Sequence, residues 1–291
     1  MLGVGGSWQL QNGDFNGDGV DDLAVTDPKN SRIVVALSRG DGTFAPGVGY
    51  PAGKSPESVT ALDLNGDGAL DLVAGSYGTD QIHVFLNNKR GDGTFTAGAS
   101  YAVASSPIWL TPLDQNGDGK MDLVATSYTG GAISVFLGNG DGTLQAGRVV
   151  AMPPGAVMTA VGDFDLDGIA DLATLRESVQ GVAILQGQRD GSFQAGATLT
   201  VTANSGQSVR AADLNGDGIV DLVAACAGTS QARVFLGRGD GTFGDEQLFP
   251  GGGSNVFDAL PVDVNGDGLV DLALSEGNAG KISVLLNTTP R

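Results

Sequence analysis

Acidic and amide side chains recur along this chain in a fixed nine-residue pattern. Aspartate stands at positions 1, 5 and 9 of the pattern, and asparagine or aspartate stands at position 3. Carboxylate, amide and backbone carbonyl oxygens are the ligands that Ca²⁺ takes, about 6 to 8 of them at roughly 2.3 to 2.6 Å. The pattern occurs six times, in residues 14–22, 63–71, 114–122, 163–171, 213–221 and 263–271. The sequence therefore predicts about six Ca²⁺ ions per chain, one in each loop.

The predicted ligands of each loop are the side-chain oxygens of positions 1, 3, 5 and 9 and the backbone carbonyl of position 7. Glycine at position 6 permits the sharp turn that a Cβ atom would resist. A single copy could equally be an Asn-Gly or Asp-Gly turn that binds nothing, but six copies with oxygen at every side-chain position favour metal. The predicted ligands are Asp14, Asn16, Asp18, Val20 and Asp22; Asp63, Asn65, Asp67, Ala69 and Asp71; Asp114, Asn116, Asp118, Lys120 and Asp122; Asp163, Asp165, Asp167, Ile169 and Asp171; Asp213, Asn215, Asp217, Ile219 and Asp221; and Asp263, Asn265, Asp267, Leu269 and Asp271.

Composition narrows the function classes. The 291 residues carry a formal net charge of -18, and positions 1, 3, 5 and 9 of the loops hold 19 of the 33 acidic residues. This charge argues against nucleic acid or an anionic membrane surface as a partner, because both favour a basic face. One cysteine, Cys226, excludes an internal disulfide. No apolar stretch approaches the roughly 18 residues of a membrane-spanning helix, so we expect no membrane insertion.

The loops start at residues 14, 63, 114, 163, 213 and 263, at intervals of 49, 51, 49, 50 and 50 residues. Such a regular period indicates stacked copies of one structural unit. Each unit reads as a strand, the loop, a buried strand such as 72–74, a turn, a third strand such as 82–86, an Asp-Gly hairpin and a short outer strand. Four short antiparallel strands repeated six times are typical of propeller blades. We predict an all-β, six-bladed β-propeller that forms a single domain over residues 1–291.

Two motifs together resemble the FG-GAP/VCBS repeat family. They are the Asp-x-Asn-Gly-Asp-Gly-x-x-Asp loop and the Gly-Asp-Gly-Thr-Phe hairpin, as in residues 91–95. The family includes calcium-binding propellers of the integrin α-subunit type, fungal lectins and bacterial secreted proteins. The resemblance implies that the calcium loops join the first and second strands of each blade. It also implies that ligands bind elsewhere, on the opposite face or between blades.

The last repeat has no hairpin and no outer strand after Leu286. The sequence thus provides 23 strands where a closed ring would use 24, and we expect a three-stranded last blade with an exposed edge. We also expect the chain to belong to a longer parent protein. Its compartment is expected to be extracellular or the cell surface, because modest-affinity calcium sites need abundant calcium.

A ligand site is predicted at the ends of the blades away from the loops. Five residues before each loop stands an equivalent position, and among the six such positions only that of Trp109 is aromatic. With Tyr77 and Tyr128, Trp109 could form a platform on which a sugar ring stacks. The alternative is that Trp109 only plugs the channel mouth. We expect a non-enzymatic binding or adhesion module, with carbohydrate or an extracellular protein as partner. A purely structural scaffold stays open as the alternative. A polysaccharide-acting enzyme is a weaker one, because glycoside cleavage uses paired acids, and the acids outside the metal positions show no pairing. The single histidine, His83, gives weak support to a Ser-His-Asp or Cys-His set.

Overall fold

The computed structural model describes residues 4–7, 9–152, 155–176, 181–203, 205–253, 255–277 and 280–288. Within these ranges the chain forms 23 β-strands and one 3₁₀ turn, Pro28–Asn30. The strands make six antiparallel sheets, five with four strands and the last with three. Six sheets of consecutive short strands are the blades of a β-propeller, so the predicted fold and the three-stranded last blade are confirmed. No helix in the described ranges has the length and apolar character that crossing a membrane requires.

The first compact unit, Met1–Pro153, contains three blades. Within each blade the strands follow one another in chain order across the sheet. The strands of the first blade are β1 (Leu10–Gly13), β2 (Asp22–Asp27), β3 (Arg32–Ala36) and β4 (Val48–Pro51); those of the second are β5 (Pro56–Leu62), β6 (Asp71–Ser76), β7 (Gln81–Asn87) and β8 (Phe95–Ala102); those of the third are β9 (Pro107–Leu113), β10 (Asp122–Ser127), β11 (Ala132–Phe136) and β12 (Arg148–Ala151).

The second compact unit, Pro154–Arg291, contains the other three blades. Its last blade has three described strands. The strands of the fourth blade are β13 (Ala156–Gly162), β14 (Asp171–Arg176), β15 (Gly181–Gly187) and β16 (Phe193–Thr200); those of the fifth are β17 (Gly206–Ala212), β18 (Asp221–Cys226), β19 (Gln231–Phe235) and β20 (Gln247–Pro250); those of the sixth are β21 (Val256–Val262), β22 (Asp271–Glu276) and β23 (Lys281–Leu285).

The second strand of a blade is its most deeply buried element. Strands β6, β10, β14 and β18 are buried along their whole length. Each begins with the position 9 aspartate of its loop and continues mainly with small or apolar residues, as expected of a strand that is covered on both faces. The outer strands are largely exposed, as β4 and β20 show. In these four blades the residue at which the loop joins the second strand, the position 9 aspartate, is therefore buried.

Aromatic side chains fill the space between neighbouring blades within a unit. Phe95, which follows the Asp-Gly hairpin of the second blade, packs edge-on against Phe15 at 5.8 Å and Tyr50 at 5.7 Å between ring centroids. Phe243 of the fifth blade packs in the same manner against Phe164 of the fourth, at 5.4 Å. In both cases the residue after one hairpin meets position 2 of the preceding blade's loop. These two hairpins thus pack their blades against the preceding blade of the same unit.

Candidate functional site: six oxygen-rich loops

Each predicted metal loop joins the first and second strands of its blade, as the sequence predicts. The loop is closed by its own position 1 aspartate, whose carboxylate accepts a hydrogen bond from the backbone N–H of the position 6 glycine. In the first loop this bond joins Gly19 N and Asp14 Oδ2 at 2.8 Å. In the other five loops the same bond measures 2.7 to 3.0 Å. The six loops therefore share one backbone path.

Positions 3 and 5 complete the same turn. The position 3 oxygen accepts the backbone N–H of position 5, as Asn65 Oδ1 does from Asp67 at 3.0 Å. The position 5 carboxylate accepts the N–H of position 7, as Asp67 Oδ1 does from Ala69 at 2.9 Å. These bonds fold the side-chain oxygens of positions 1, 3 and 5 around one short stretch of backbone. The glycines at position 6 have φ between 79° and 85°, a left-handed conformation that a Cβ atom resists.

The position 9 aspartate is the buried member of each loop. In the second loop Asp71 is fully buried. Its Oδ2 accepts the N–H of Leu64, at position 2, at 3.1 Å. Its Oδ1 accepts the N–H of Asn87, at the end of the third strand, at 2.8 Å. One carboxylate therefore ties the loop to two strands of its blade.

The same pair of hydrogen bonds occurs in all six blades. The bonds from position 2 measure 2.9 to 3.1 Å. The bonds from the residue that follows or ends the third strand measure 2.7 to 2.8 Å. A carboxylate offers about four lone-pair directions, so two remain for another partner. Sequence reasoning assigned position 9 to metal alone and missed this structural role, although an aspartate at the start of a buried strand signals a hydrogen-bonded carboxylate.

Burial and like charge act together on these carboxylates. Burial, with the nearby acids Asp67 and Asp63 adding to it, raises the pKa of Asp71 to about 6. Burial likewise raises the pKa of Asp171 to about 6, with Asp165 and Asp163 as the neighbouring acids. At the exposed position 1 the pKa shift has the opposite direction. The backbone N–H of Gly19, followed by other backbone N–H groups of the loop, lowers the pKa of Asp14. The buried carboxylate of a loop is thus the one that a nearby cation would stabilise most.

The fourth loop carries the densest group of acids. Asp165 stands at position 3, where the other loops have asparagine. The carboxylates of Asp163, Asp165 and Asp171 place one oxygen each within 4.8 Å of one another. That separation suits three oxygens around one hard cation, since ligands at roughly 2.3 to 2.6 Å from an ion lie within twice that distance of each other. Positions 1, 3 and 9 of this loop are therefore brought together as predicted.

Lysine side chains approach two of the loops. The Lys89 ammonium lies 3.5 Å from a carboxylate oxygen of Asp67 and also donates to the Asp67 carbonyl. Lys120 Nζ lies 3.8 Å from Asp118 Oδ2. Both pairs are partly exposed, so each stabilises the fold by well under about 1 kcal/mol. Their ammonium groups nevertheless lower the negative charge of the second and third loops.

The donor set fits Ca²⁺. Each loop offers carboxylate and amide oxygens from one turn of backbone, and no nitrogen or sulfur ligand stands in the pattern. Hard oxygen donors in a flexible, many-ligand arrangement suit Ca²⁺ rather than a transition metal. The N–H of position 7 donates to position 5 in every loop. The assignment of the position 7 carbonyl as a ligand stays a prediction.

The predicted ligand-binding aromatics lie at the opposite ends of their blades. Tyr77 and Tyr128 directly follow β6 and β10, where those strands leave the core. Their backbone N–H groups donate to the carbonyls of Ser55 and Ser106 at 3.0 and 3.2 Å. These bonds tie each tyrosine to the segment that connects its blade to the preceding one. Both side chains are partly buried.

Trp109 lies near the start of β9, directly after an irregularity in the pairing of β9 with β10. It is paired in register with Thr126, two residues before Tyr128. Trp109 is half-buried, so its ring is not wholly enclosed. Residues 177–180 and 278–279, which correspond in the fourth and sixth repeats to the turns after β6 and β10, lie outside the described residues.

Two side chains that could in principle be reactive, His83 and Cys226, lie in environments that disfavour their charged forms. His83 Nδ1 lies 2.8 Å from Ser100 Oγ, and burial lowers the pKa of the imidazole. Cys226 is buried, and burial raises the pKa of its thiol. A buried neutral thiol is a poor nucleophile.

Residues 14–74, 63–125, 114–174, 163–224 and 215–274 each match the family model described as an FG-GAP-like repeat. No curated protein sequence shows significant similarity to the chain.

Solved structures share the fold at low identity. An Agrocybe aegerita lectin that recognises non-reducing terminal N-acetylglucosamine aligns with a TM-score of 0.65 and 22% identity over 97% of this chain and 80% of the lectin. A protein from Lactobacillus plantarum aligns with a TM-score of 0.65 and 17% identity, covering 98% of this chain and 85% of its own. The Tc holotoxin pore of Photorhabdus luminescens aligns with a TM-score of 0.53 and 22% identity, over 96% of this chain but 14% of the toxin chain. At such identities the likeness establishes the fold alone.

Proposed function

Because this chain belongs to the FG-GAP-like repeat family, we propose that it is a calcium-stabilised β-propeller that serves as an extracellular binding module for carbohydrate. The observation that carries the proposal is the sixfold repetition of one hydrogen-bonded loop whose side-chain oxygens at positions 1, 3 and 5 surround one stretch of backbone. A loop needed only as a turn would not require three or four acids in each copy. Binding, rather than a reaction, is the activity proposed.

Calcium would be held by the side chains of positions 1, 3, 5 and 9, with the carbonyl of position 7. Bound there, it supplies positive charge that offsets the repulsion between the loop carboxylates. The position 9 aspartate couples this charge to the fold, because its two oxygens also accept backbone N–H groups from the loop and from the third strand. A folded state that binds the ion when the unfolded chain does not is stabilised by mass action.

The proposed compartment follows from the cation. Extracellular calcium modules function with Kd values of about 10⁻⁴ to 10⁻³ M, at which cytosolic calcium would leave them empty. A net charge of -18 is also most easily tolerated where divalent cations neutralise it. We therefore place the protein outside the cell or at its surface.

Carbohydrate is favoured as the ligand by the opposite ends of the blades. Tyr77, Trp109 and Tyr128 are partly accessible there and belong to adjacent blades of one unit. Aromatic faces stack on the C–H surfaces of sugar rings, and tyrosine hydroxyls can orient them. The lectin with the same fold recognises terminal N-acetylglucosamine, which makes glycans with that terminus the first ligands to test.

The proposal is tested with a glycan array probed in calcium and again in excess chelator, alongside isothermal titration with Ca²⁺. We expect close to six ions per chain and saturable binding to a restricted group of glycans. The Trp109→Ala variant is the matched control, because it should bind the same number of ions and no glycan. Six ions without any glycan bound would support the alternative, a structural scaffold. A stoichiometry of zero or one would contradict the calcium part of the proposal.

A further inference from the structure

His83 stands on β7, twenty residues after the first aspartate of its loop, and Ser134 and Arg233 occupy the same place in the third and fifth blades. All three are paired with an alanine of the second strand. In the third blade Ser134 Oγ accepts the N–H of Ala104 at 3.0 Å. In the fifth, the Arg233 guanidinium donates to Thr202 Oγ1 at 2.8 Å. Ala104 and Thr202 both lie in the segment that enters the blade, so this place joins the third strand to that segment.

In the second blade the imidazole ring makes this contact, with residues 53–55 as the entering segment. A Cβ atom on Gly53 would lie 2.6 Å from His83 Nε2 and 2.5 Å from Ser76 Oγ, so Gly53 packs directly against both. The other ring nitrogen, Nδ1, lies 2.8 Å from Ser100 Oγ. Nε2 is buried and has no hydrogen-bond partner within the described part of the chain. These surroundings suit a neutral ring, because a proton added to Nε2 would be buried without an acceptor.

The fifth blade shows what a cation at this place requires. The Arg233 side chain is 3% exposed, and its guanidinium is paired with the carboxylate of Glu246 at 2.7 Å. Strand β8, which is paired with His83, contains no acidic residue, and neither does the entering segment. A protonated His83 would therefore be a shielded charge without a carboxylate beside it, which disfavours the contact.

The charged and titratable groups around the ring do not offset this cost. Burial lowers the pKa of His83, and no charged neighbour among the described residues contributes to the shift. The titratable residues of β6, of the turn after it, of β8 and of the entering segment are Asp71, Tyr77, Asp80, Tyr101 and Lys54. Because the lowered pKa means that the folded chain prefers the neutral ring, the contact stabilises the fold fully above about pH 6.5 and less as the pH falls.

The entering segment also holds the turn that begins with Tyr77. Ser76 Oγ donates to the carbonyl of Lys54 at 2.7 Å. The backbone N–H groups of Tyr77 and Gly78 donate to the carbonyls of Ser55 and Lys54 at 3.0 and 2.9 Å. The segment therefore lies against the imidazole ring and is bonded to this turn, so a displacement at the ring reaches Tyr77 through a short series of contacts.

We propose that His83 is a pH switch for the end of the second blade that carries Tyr77. Protonation of Nε2 in mildly acidic solution disrupts the packing of the ring against Gly53, and the entering segment and the turn after β6 then detach from the blade. Because Tyr77 belongs to the proposed carbohydrate site, this detachment weakens glycan binding. That last step rests on the proposed function, whereas the switch itself needs only the ring, the segment and the bonds of the turn.

The test is backbone hydrogen exchange of the full chain, measured by NMR at about pH 7.5 and about pH 5 in excess Ca²⁺ and corrected for the intrinsic exchange rate at each pH. Protection of the Tyr77 and Gly78 amides should be at least fivefold lower at the acidic pH. Tyr128 is the internal control, because its N–H donates to Ser106 in the same manner and its blade has Ser134 in place of the histidine. Its protection should change less than twofold. An equal fall at Tyr77 and Tyr128, or no fall at Tyr77, would overturn the proposal.

Substitution of the ring assigns the effect to His83. His83→Gln does not titrate, so the protection of Tyr77 should change less than twofold between the two pH values. His83→Ser, which introduces the residue of the third blade, should behave in the same way and serves if the glutamine variant does not fold. A fall at Tyr77 that persists in the folded variants would show that another group titrates and would refute the role of His83.

Surface plasmon resonance on an immobilised glycan that ends in N-acetylglucosamine measures the consequence for the ligand site. The affinity of the unaltered chain should be at least fivefold lower at about pH 5 than at about pH 7.5, and that of His83→Gln should change less than twofold. A chain that binds no glycan at either pH, while Tyr77 shows the expected exchange, would contradict the proposed function and support the switch. A loss of affinity at acidic pH that is equal in the two proteins would refute the link between His83 and the site.

Discussion

The two ends of each blade differ in how closely their residues and hydrogen bonds repeat along the chain. At the loop end, six segments share aspartate at positions 1, 5 and 9, and the same bonds recur with distances that vary by a few tenths of an ångström. At the opposite end, the residue after the second strand is Tyr77, Tyr128 or Ala227, and the first blade has the 3₁₀ turn Pro28–Asn30 instead. The loop ends of the six blades therefore share one conformation, whereas the opposite ends differ from blade to blade.

Under the proposed function, this difference separates the residues that stabilise the fold from those that bind a ligand. A turn whose side chains bond mainly its own backbone can be copied into every blade, because its bond to the end of the third strand also recurs in every blade. A surface that selects a ligand gains nothing from sixfold repetition, and loops on a rigid scaffold are where binding residues concentrate. The comparison predicts that changes at the loop end alter stability and calcium binding, whereas changes at the opposite end alter ligand binding.

Removal of calcium should produce the largest effect. A single site held at 100 times its Kd stabilises the folded state by about 2.7 kcal/mol, so several sites together should support a large share of the stability. We expect the melting temperature to fall by about 10 °C or more in excess EDTA. Differential scanning calorimetry with and without Ca²⁺ measures this, with Mg²⁺ addition as the control. An unchanged melting curve after complete removal of calcium would contradict a structural role for the loops.

The position 9 and position 5 aspartates of one loop should behave differently. Asp171 is buried and accepts the N–H groups of Phe164 and Gly187, whereas Asp167 is exposed. Asp171→Asn replaces one acceptor oxygen with an NH₂ group and should destabilise the fold by about 1 to 3 kcal/mol. Asp167→Asn should mainly weaken calcium binding at the fourth loop.

Urea unfolding in EDTA distinguishes these two roles. The loss caused by Asp171→Asn should persist without calcium, because the backbone hydrogen bonds do not depend on the ion. The effect of Asp167→Asn on stability should disappear there. Equal behaviour of the two variants in EDTA would show that position 9 acts through the metal alone.

At the opposite end, Trp109→Ala should remove glycan binding and leave the loops intact. Truncation of a central aromatic contact costs about 2 kcal/mol or more of binding free energy, a loss of roughly thirtyfold or greater in affinity. Surface plasmon resonance on the glycans found by the array measures the loss, and Tyr128→Phe tests the hydroxyl separately. A melting temperature that falls with the same substitution would instead assign Trp109 to the core.

The smallest effect should come from the lysines beside the loops. Lys89→Met removes an ammonium group 3.5 Å from Asp67 and should raise the calcium affinity of the second loop a few-fold, since an exposed pair contributes at most about 1 kcal/mol. Lys54→Met, at the opposite end of the same blade, is the matched control and should leave calcium affinity unchanged. Competition titration with a calcium indicator measures both. A matching increase with Lys54→Met would show that overall charge, and not the position of the ammonium group, controls affinity.

The features of the fold that could be predicted from the sequence are those that short local motifs encode. The loop pattern and the Asp-Gly hairpins gave the strand order, the number of blades and the three strands of the last one, because each signal depends on residues close together in the chain. The strand predicted over 82–86 is observed as Gln81–Asn87. The second bond of the position 9 aspartate could not be predicted, because its donor lies 16 residues away, at the end of the third strand.

The sequence by itself therefore determined the period, the all-β blades and the oxygen-rich character of the six loops, since these depend on residue types at short, fixed spacings. Tertiary structure decided which of those oxygens are buried, and it raised the pKa of Asp71 and Asp171 by removing them from solvent. It also placed Phe95 in a closed cluster while the matching positions of the fifth and sixth blades surround a cavity. Burial depends on neighbours that are distant in the chain, and for that reason repeats with similar sequences differ in exposure.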